Sequence, residues 1–283
     1  MKYGGFMKRF VWASVLLVIC AAGAFAQADI RKVDFKNFTY PVLCIGEKTD
    51  NVTVKDGEFS KEKQEDGYVD RFYFKIFDVA YGDVTGDRID EAIILGVCNT
   101  GGTGNFSEGF IYSMKGTKPA LIARIPGGDR AYGGLRETRT EAGKLVVESN
   151  DPGPGGGACC PQRILTNQYR VTGGKLVKIG KEMSRDVYPT ERLKFAAGMS
   201  GKTFTVHIPE QEGKRFILGA RAGQTLSVSV DTDQASLRLL DEADVKFGVN
   251  NFLVKLPRSG DFTIEVQNNA DGPLSVTVNV KVQ

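Results

Sequence analysis

Histidine is nearly missing: His207 is the only one in 283 residues. Its neighbours Val206 and Ile208 take the apolar parity of a strand, which points His207 to the polar face. A Ser-His-Asp or Cys-His device has no obvious base here, and zinc-hydrolase motifs are absent. The cysteines contain no C-x-x-C pair, and none has a histidine nearby, which argues against a tetrahedral metal site. Glycine-rich stretches at residues 100–104, 127–134 and 152–157 lack the Lys-Ser/Thr of a P-loop. They also lack a G-x-G-x-x-G between a strand and a helix, so they do not read as phosphate cradles. Long helical patterns are few.

Net charge of one sign is also lacking. The formal +3 is accounted for by Lys2, Lys8 and Arg9. Those residues open a segment, 1–26, that reads as an export signal: a basic start, an apolar stretch at 10–22, and Ala24-Phe25-Ala26 as a cleavage site. Lipid attachment at Cys20, preceded by Ile19, and a retained anchor are the competing readings. With the segment removed the charge is zero. No global basic field then points to nucleic acid or an anionic membrane surface, and no stable membrane span is expected after cleavage.

What remains is long enough for two domains. It is rich in short β-signals and glycine turns, and the expected fold class is all-β. The expected division is a β domain over 27–182, a linker over 183–190 containing Pro189, and a second domain over 191–283. Cys44, Cys98, Cys159 and Cys160 fit an oxidising compartment and up to two disulfides. A bridge between adjacent cysteines strains the backbone. Cys159 and Cys160 are therefore each expected to reach one of Cys44 and Cys98.

In the first domain, Phe72, Phe74 and Ile76 alternate with Arg71, Tyr73 and Lys75, as in a strand. The run Ala92-Ile93-Ile94-Leu95 is continuous, as in a strand buried on both faces. Ala142-Gly143 and Gly173-Gly174 read as hairpin turns needing positive φ. Asp129-Arg130 reads as an ion pair within a turn, with a ligand site as the alternative.

Residues 83–91 place oxygens at Asp83, Thr85, Asp87 and Glu91 around Gly86. Such alternation can wrap a hard cation. The stretch resembles the cation loop of FG-GAP or integrin-propeller repeats. The resemblance implies Ca²⁺ held by the side chains of Asp83, Thr85, Asp87 and Glu91 and the carbonyl of Ile89. Thr85 and Arg88 depart from that pattern, and the loop occurs once. The competing reading is an acidic turn ahead of a buried strand. Residues 81–161 also resemble exported bacterial proteins with YGD-TGD…EA and ACCP signatures, a likeness that implies no activity.

The second domain alternates more cleanly. Phe204, Val206 and Ile208 share one parity, as do Leu226, Val228 and Val230, and Phe252, Val254 and Leu256. The same holds for Phe262, Ile264 and Val266, and for Leu274 through Val282. This is the pattern of an antiparallel β-sandwich. Residues 192–198, 221–228 and 256–266, in that order, resemble the inhibitor of g-type lysozyme family and, more broadly, pre-peptidase C-terminal modules. The inhibitor resemblance implies a periplasmic, non-enzymatic protein that inserts a loop into a lysozyme cleft. Ser259 and Gly260 match the Ser-Gly-x-Tyr-type loop of related periplasmic inhibitors, with Phe262 in the tyrosine's place. Arg258 and Asp261 would stand at the rim. Two alternatives remain. One is a binding module for an envelope glycan or protein, stabilised by Ca²⁺ at the acidic loop. The other is a hydrolase working through the carboxylates Asp87 and Glu91.

Overall fold

The computed structural model describes Met1 and residues 28–44, 49–65, 67–241 and 243–283. The expected export signal otherwise lies outside the described residues. The described chain is all-β, with one short 3₁₀ turn, Ile30–Lys32, besides its strands. No described helix is long and apolar enough to cross a membrane.

The first half is built around strand Glu91–Asn99, at the centre of a five-stranded antiparallel sheet. The continuous apolar run has the burial its pattern implied. Ala92 and Ile94 enter one core with Phe74, Phe110 and Tyr112. Ile93 and Leu95 enter another with Ile111, Leu145 and Val147. The first core is covered by the hairpin of Thr39–Val42 and Asp50–Thr53. The second is covered by a four-stranded sheet carrying Leu135–Glu141, Lys144–Asp151, Arg163–Thr172 and Lys175–Asp186. Both hairpin turns in that sheet are two residues long. Ala142 and Gly143 have φ of 49° and 73°, and Gly173 and Gly174 have 58° and 74°. Two positive φ values in a two-residue loop match the right-handed twist of the flanking strands.

Cysteine pairing differs from expectation. Cys44 bonds Cys98, with Cα atoms 5.8 Å apart, and Cys159 bonds its neighbour Cys160. The covering hairpin decides this. It carries Cys44 to the end of strand Glu91–Asn99, where Cys98 is buried. The amides of Leu43 and Cys44 both donate to Glu108 Oε1, at 2.9 and 3.0 Å. Cys159 and Cys160 sit on an exposed glycine loop away from that point.

The second half is a sandwich with one core. A four-stranded sheet holds Thr190–Arg192, Gly213–Ala220, Gly260–Asn268 and Ala235–Leu239 in that spatial order. A five-stranded sheet faces it with Gly201–Ile208, Leu274–Val282, Thr225–Val230, Asn251–Lys255 and Val245–Phe247. Pairing is antiparallel except that Thr190–Arg192 adds in parallel to Gly213–Ala220. Apolar parities point inward as the alternation required, and His207 is exposed, its Nδ1 2.7 Å from Ser275 Oγ.

The expected linker is largely structured. Residues 183–186 belong to strand Lys175–Asp186 and pair with Arg163–Thr172. Val187 is buried; its amide donates to Gln162 and its carbonyl accepts from Gly213. An ion-pair lock joins the halves. Glu212, 3% exposed, accepts from Arg185 at 2.5 and 2.8 Å and from Arg136 at 3.2 Å.

Candidate functional site

Residues 258–261 form an exposed turn between strands Asn251–Lys255 and Gly260–Asn268. Leu256 anchors its approach: buried, it donates to the Gln224 carbonyl and accepts from Gly223, both at 2.8 Å. Phe262 anchors its exit, fully buried in the sandwich core. Its inward parity removes it from any contact surface. Gly260 has φ of 139°, a backbone state that disfavours a Cβ.

Both flanks are tied down. Arg258 Nη2 donates to Asp241 Oδ1 at 2.7 Å and to the Asp261 carbonyl at 3.1 Å, and its guanidinium lies 4.7 Å from the Phe262 ring centre. Asp241 uses its other oxygen to accept the Thr263 amide at 2.7 Å. On the far side Arg192 grips Asp261 through both oxygens, Nη1 to Oδ1 at 3.0 Å and Nη2 to Oδ2. That bidentate bond, with the Arg192 and Arg258 charges, holds the Asp261 carboxyl below the usual range. Ser259 Oγ accepts the Ala222 amide at 2.9 Å. Its hydroxyl hydrogen remains to donate. The turn can therefore offer an O–H, flanked by fixed cations, to an acidic group.

The sequence placed Arg258, Ser259, Gly260 and Asp261 together, and the structure keeps them on one surface. It missed Arg192 and Asp241. Arg192 reaches Asp261 because a short parallel strand adds beside Gly213–Ala220, and no local pattern announces that.

The acidic loop is arranged differently from the cation reading. Asp83 spends its oxygens on backbone amides: Gly86 at 2.6 Å and Thr85 at 3.1 Å to Oδ1, Arg88 at 2.8 Å to Oδ2. Burial pushes its carboxyl up, but these amides outweigh it and hold it low. Asp87 accepts the Ile89 amide at 2.9 Å, and Ile89 is exposed. Arg88, where a glycine would fit a cation loop, sits at φ 71°. Glu91 turns inward, fully buried, with Oε2 accepting the Val84 amide at 3.0 Å. Its Oε1 has no hydrogen-bond partner among the described residues. Among the described residues, no three His, Cys, Asp or Glu side chains are placed to hold a metal ion. The expected ligands Asp83, Thr85, Asp87, Ile89 and Glu91 thus form a self-capped turn ahead of a buried strand. The carboxylates Asp87 and Glu91 do not open onto one cleft: Asp87 lines a shallow cavity beside Thr85 and Ser113, and Glu91 does not line it.

Asp129 and Arg130 make the expected ion pair, with Nε 3.0 Å from Oδ1. Arg130 also lines cavities at the junction of the two halves.

No family model matches the sequence, and no curated protein matches it. Solved structures are similar over about a third of the chain. A periplasmic inhibitor of g-type lysozyme from Escherichia coli is 15% identical with a TM-score of 0.30, spanning 34% of this chain and 99% of that one. That of Aeromonas hydrophila is 20% identical with a TM-score of 0.31, spanning 34% and 98%. That of Salmonella Typhimurium is 16% identical with a TM-score of 0.30, again spanning 34% and 98%.

Proposed function

We propose that the chain is an exported, non-enzymatic binding protein whose C-terminal sandwich presents residues 258–261 to the acidic cleft of a partner, with a g-type lysozyme as that partner. The supporting observation is the turn itself. It is exposed yet held at both ends, by Arg258 on Asp241 and by Arg192 on Asp261, while Ser259 keeps a hydrogen to donate. A loop fixed before binding loses little conformational freedom on docking. A hydroxyl with a free hydrogen can donate to the carboxylates that a glycosidase must expose to its substrate.

The test is lytic activity of a g-type lysozyme titrated with the purified full chain. Stoichiometric loss of activity is expected. Ser259→Ala should weaken inhibition by roughly tenfold or more, the worth of a hydrogen bond to a charged group. Undiminished lysis at an excess of the protein would overturn the reading.

A further inference from the structure

The junction of the two halves holds three cavities of about 440, 930 and 380 Å³. They form one groove. The first and third share Tyr188; the third and second share Arg130, Arg136, Asn150 and Gln211. Volumes of this size suit small ligands, and domain junctions are common places for them. The glycine loop 153–156 and the Cys159–Cys160 bridge form one wall, and Arg215, Gln267 and Asn268 of the sandwich form the other.

The groove's positive charges are spent. Every arginine that lines it already holds a carboxylate: Arg130 with Asp129 at 3.0 Å, Arg163 with Asp151 at 2.8 Å, Arg215 with Glu265 at 2.9 Å, and Arg136 and Arg185 with Glu212. Glu212 and Glu265 are buried, so these pairs are fixed parts of the floor. Asn268 is equally committed, its Nδ2 donating to the carbonyls of Ile208, Pro209 and Gly272 at 3.1, 3.0 and 2.8 Å. An anionic ligand would find no free guanidinium here. An apolar ligand would meet a surface of mixed polar and apolar groups around Tyr188.

Above this floor stand groups with hydrogen-bonding capacity left. Among the described residues no partner is found for the Tyr188 hydroxyl, the Gln162 and Gln267 carboxamides, or the Asp186 carboxylate. The Tyr188 ring is steadied by Arg215, whose guanidinium lies 4.9 Å from the ring centre. It also packs where a Cβ on Gly213 would fall, 2.3 Å from that position. The carboxamides and the phenol can each donate and accept, and the carboxylate accepts, which suits ligands whose hydroxyls do both. The tyrosine ring and the sulfur bridge add apolar surface for the carbon faces of a sugar.

We propose that this groove, centred on Tyr188, binds a neutral oligosaccharide. The site is separate from the 258–261 turn and is read out separately from lysozyme inhibition. The experiment is calorimetric titration of the full chain with chitotetraose, cellotetraose and maltotetraose, with polygalacturonate as the anionic comparison. At least one neutral tetrasaccharide should bind at millimolar concentration or below. Tyr188→Phe, which keeps the ring, and Gln162→Ala, on an exposed position, should each weaken it by about fivefold, as loss of one neutral hydrogen bond does. Absence of binding by all three up to about 10 mM, binding of the polyanion alone, or unchanged affinity in both variants would overturn the proposal.

Discussion

Replacing Glu91 by glutamine should stabilise the protein at neutral pH. The side chain is fully buried at the start of the central strand, with one oxygen on the Val84 amide and the other unpartnered among the described residues. Burial lifts its carboxyl above the ordinary value of 4.5, and the nearby Asp87 and Asp83 charges add to the lift against the pull of the Val84 amide. The folded state therefore keeps this proton to higher pH than the unfolded state does. The contribution of Glu91 is fully present below the unfolded pKa and is lost as pH rises through the folded one. Glutamine retains the acceptor for Val84 and removes the charge. An unsatisfied buried polar group costs about 1–3 kcal/mol and more when it is charged, and it is this charged excess that glutamine removes. Relief of part of that cost, about 1–2 kcal/mol, would raise the melting midpoint by roughly 2–8 °C in a unit of this size. Thermal melts of both forms from pH 4 to 8 should show the gap opening as pH rises. A lower midpoint for the variant at pH 7, or a gap that ignores pH, would refute the reasoning. The same melts address calcium. With Asp83 spent on amides, adding about 1 mM Ca²⁺ should move neither midpoint; a rise confined to the unsubstituted form would restore Glu91 as a ligand.

Removing the lock between the halves should be costly. Glu212→Ala leaves Arg136, only 13% exposed, without its carboxylate; the expected loss is about 3 kcal/mol in urea or thermal unfolding, with the two halves melting less cooperatively. A loss under about 1 kcal/mol would mean the pair is idle. The two disulfides should differ sharply. The Cys44–Cys98 bridge spans a separation of 54 residues, and replacing both by serine should cost up to about 4 kcal/mol by loop-closure entropy. Serines at 159 and 160 open no loop and should change the unfolding free energy measured in urea by less than about 0.5 kcal/mol.

The sequence exposed those features whose cause is local. Ala92 through Leu95 gave its double burial away because each parity meets its own core, and Gly173-Gly174 gave away its turn because positive φ at both positions selects glycine. The sandwich was legible because the strands that hold Phe204, Leu226, Phe252, Phe262 and Leu274 repeat period two. Features set by distant packing were not legible. Cys98 found Cys44 because a hairpin folds over the first core, and nothing near either cysteine encodes that. Residues 183–186 read as a linker, yet they continue a strand because Arg163–Thr172 supplies a partner along their length. The oxygens of Asp83 looked free for a cation until the loop's own amides claimed them. Glu212 carried no motif; only the meeting of two halves makes it buried and shared by two arginines.

Strand Gly260–Asn268 begins in the exposed turn and ends beside the groove, where Gln267 and Asn268 form part of its wall. At about 3.3 Å per residue, its two ends stand roughly 26 Å apart. That spacing exceeds the reach of a side chain, so the two ends act through different residues. If both proposals above hold, the chain is a bridge that holds an enzyme at one end while a polymer strand lies along the other. Tethering then raises the local concentration of whichever arrives second.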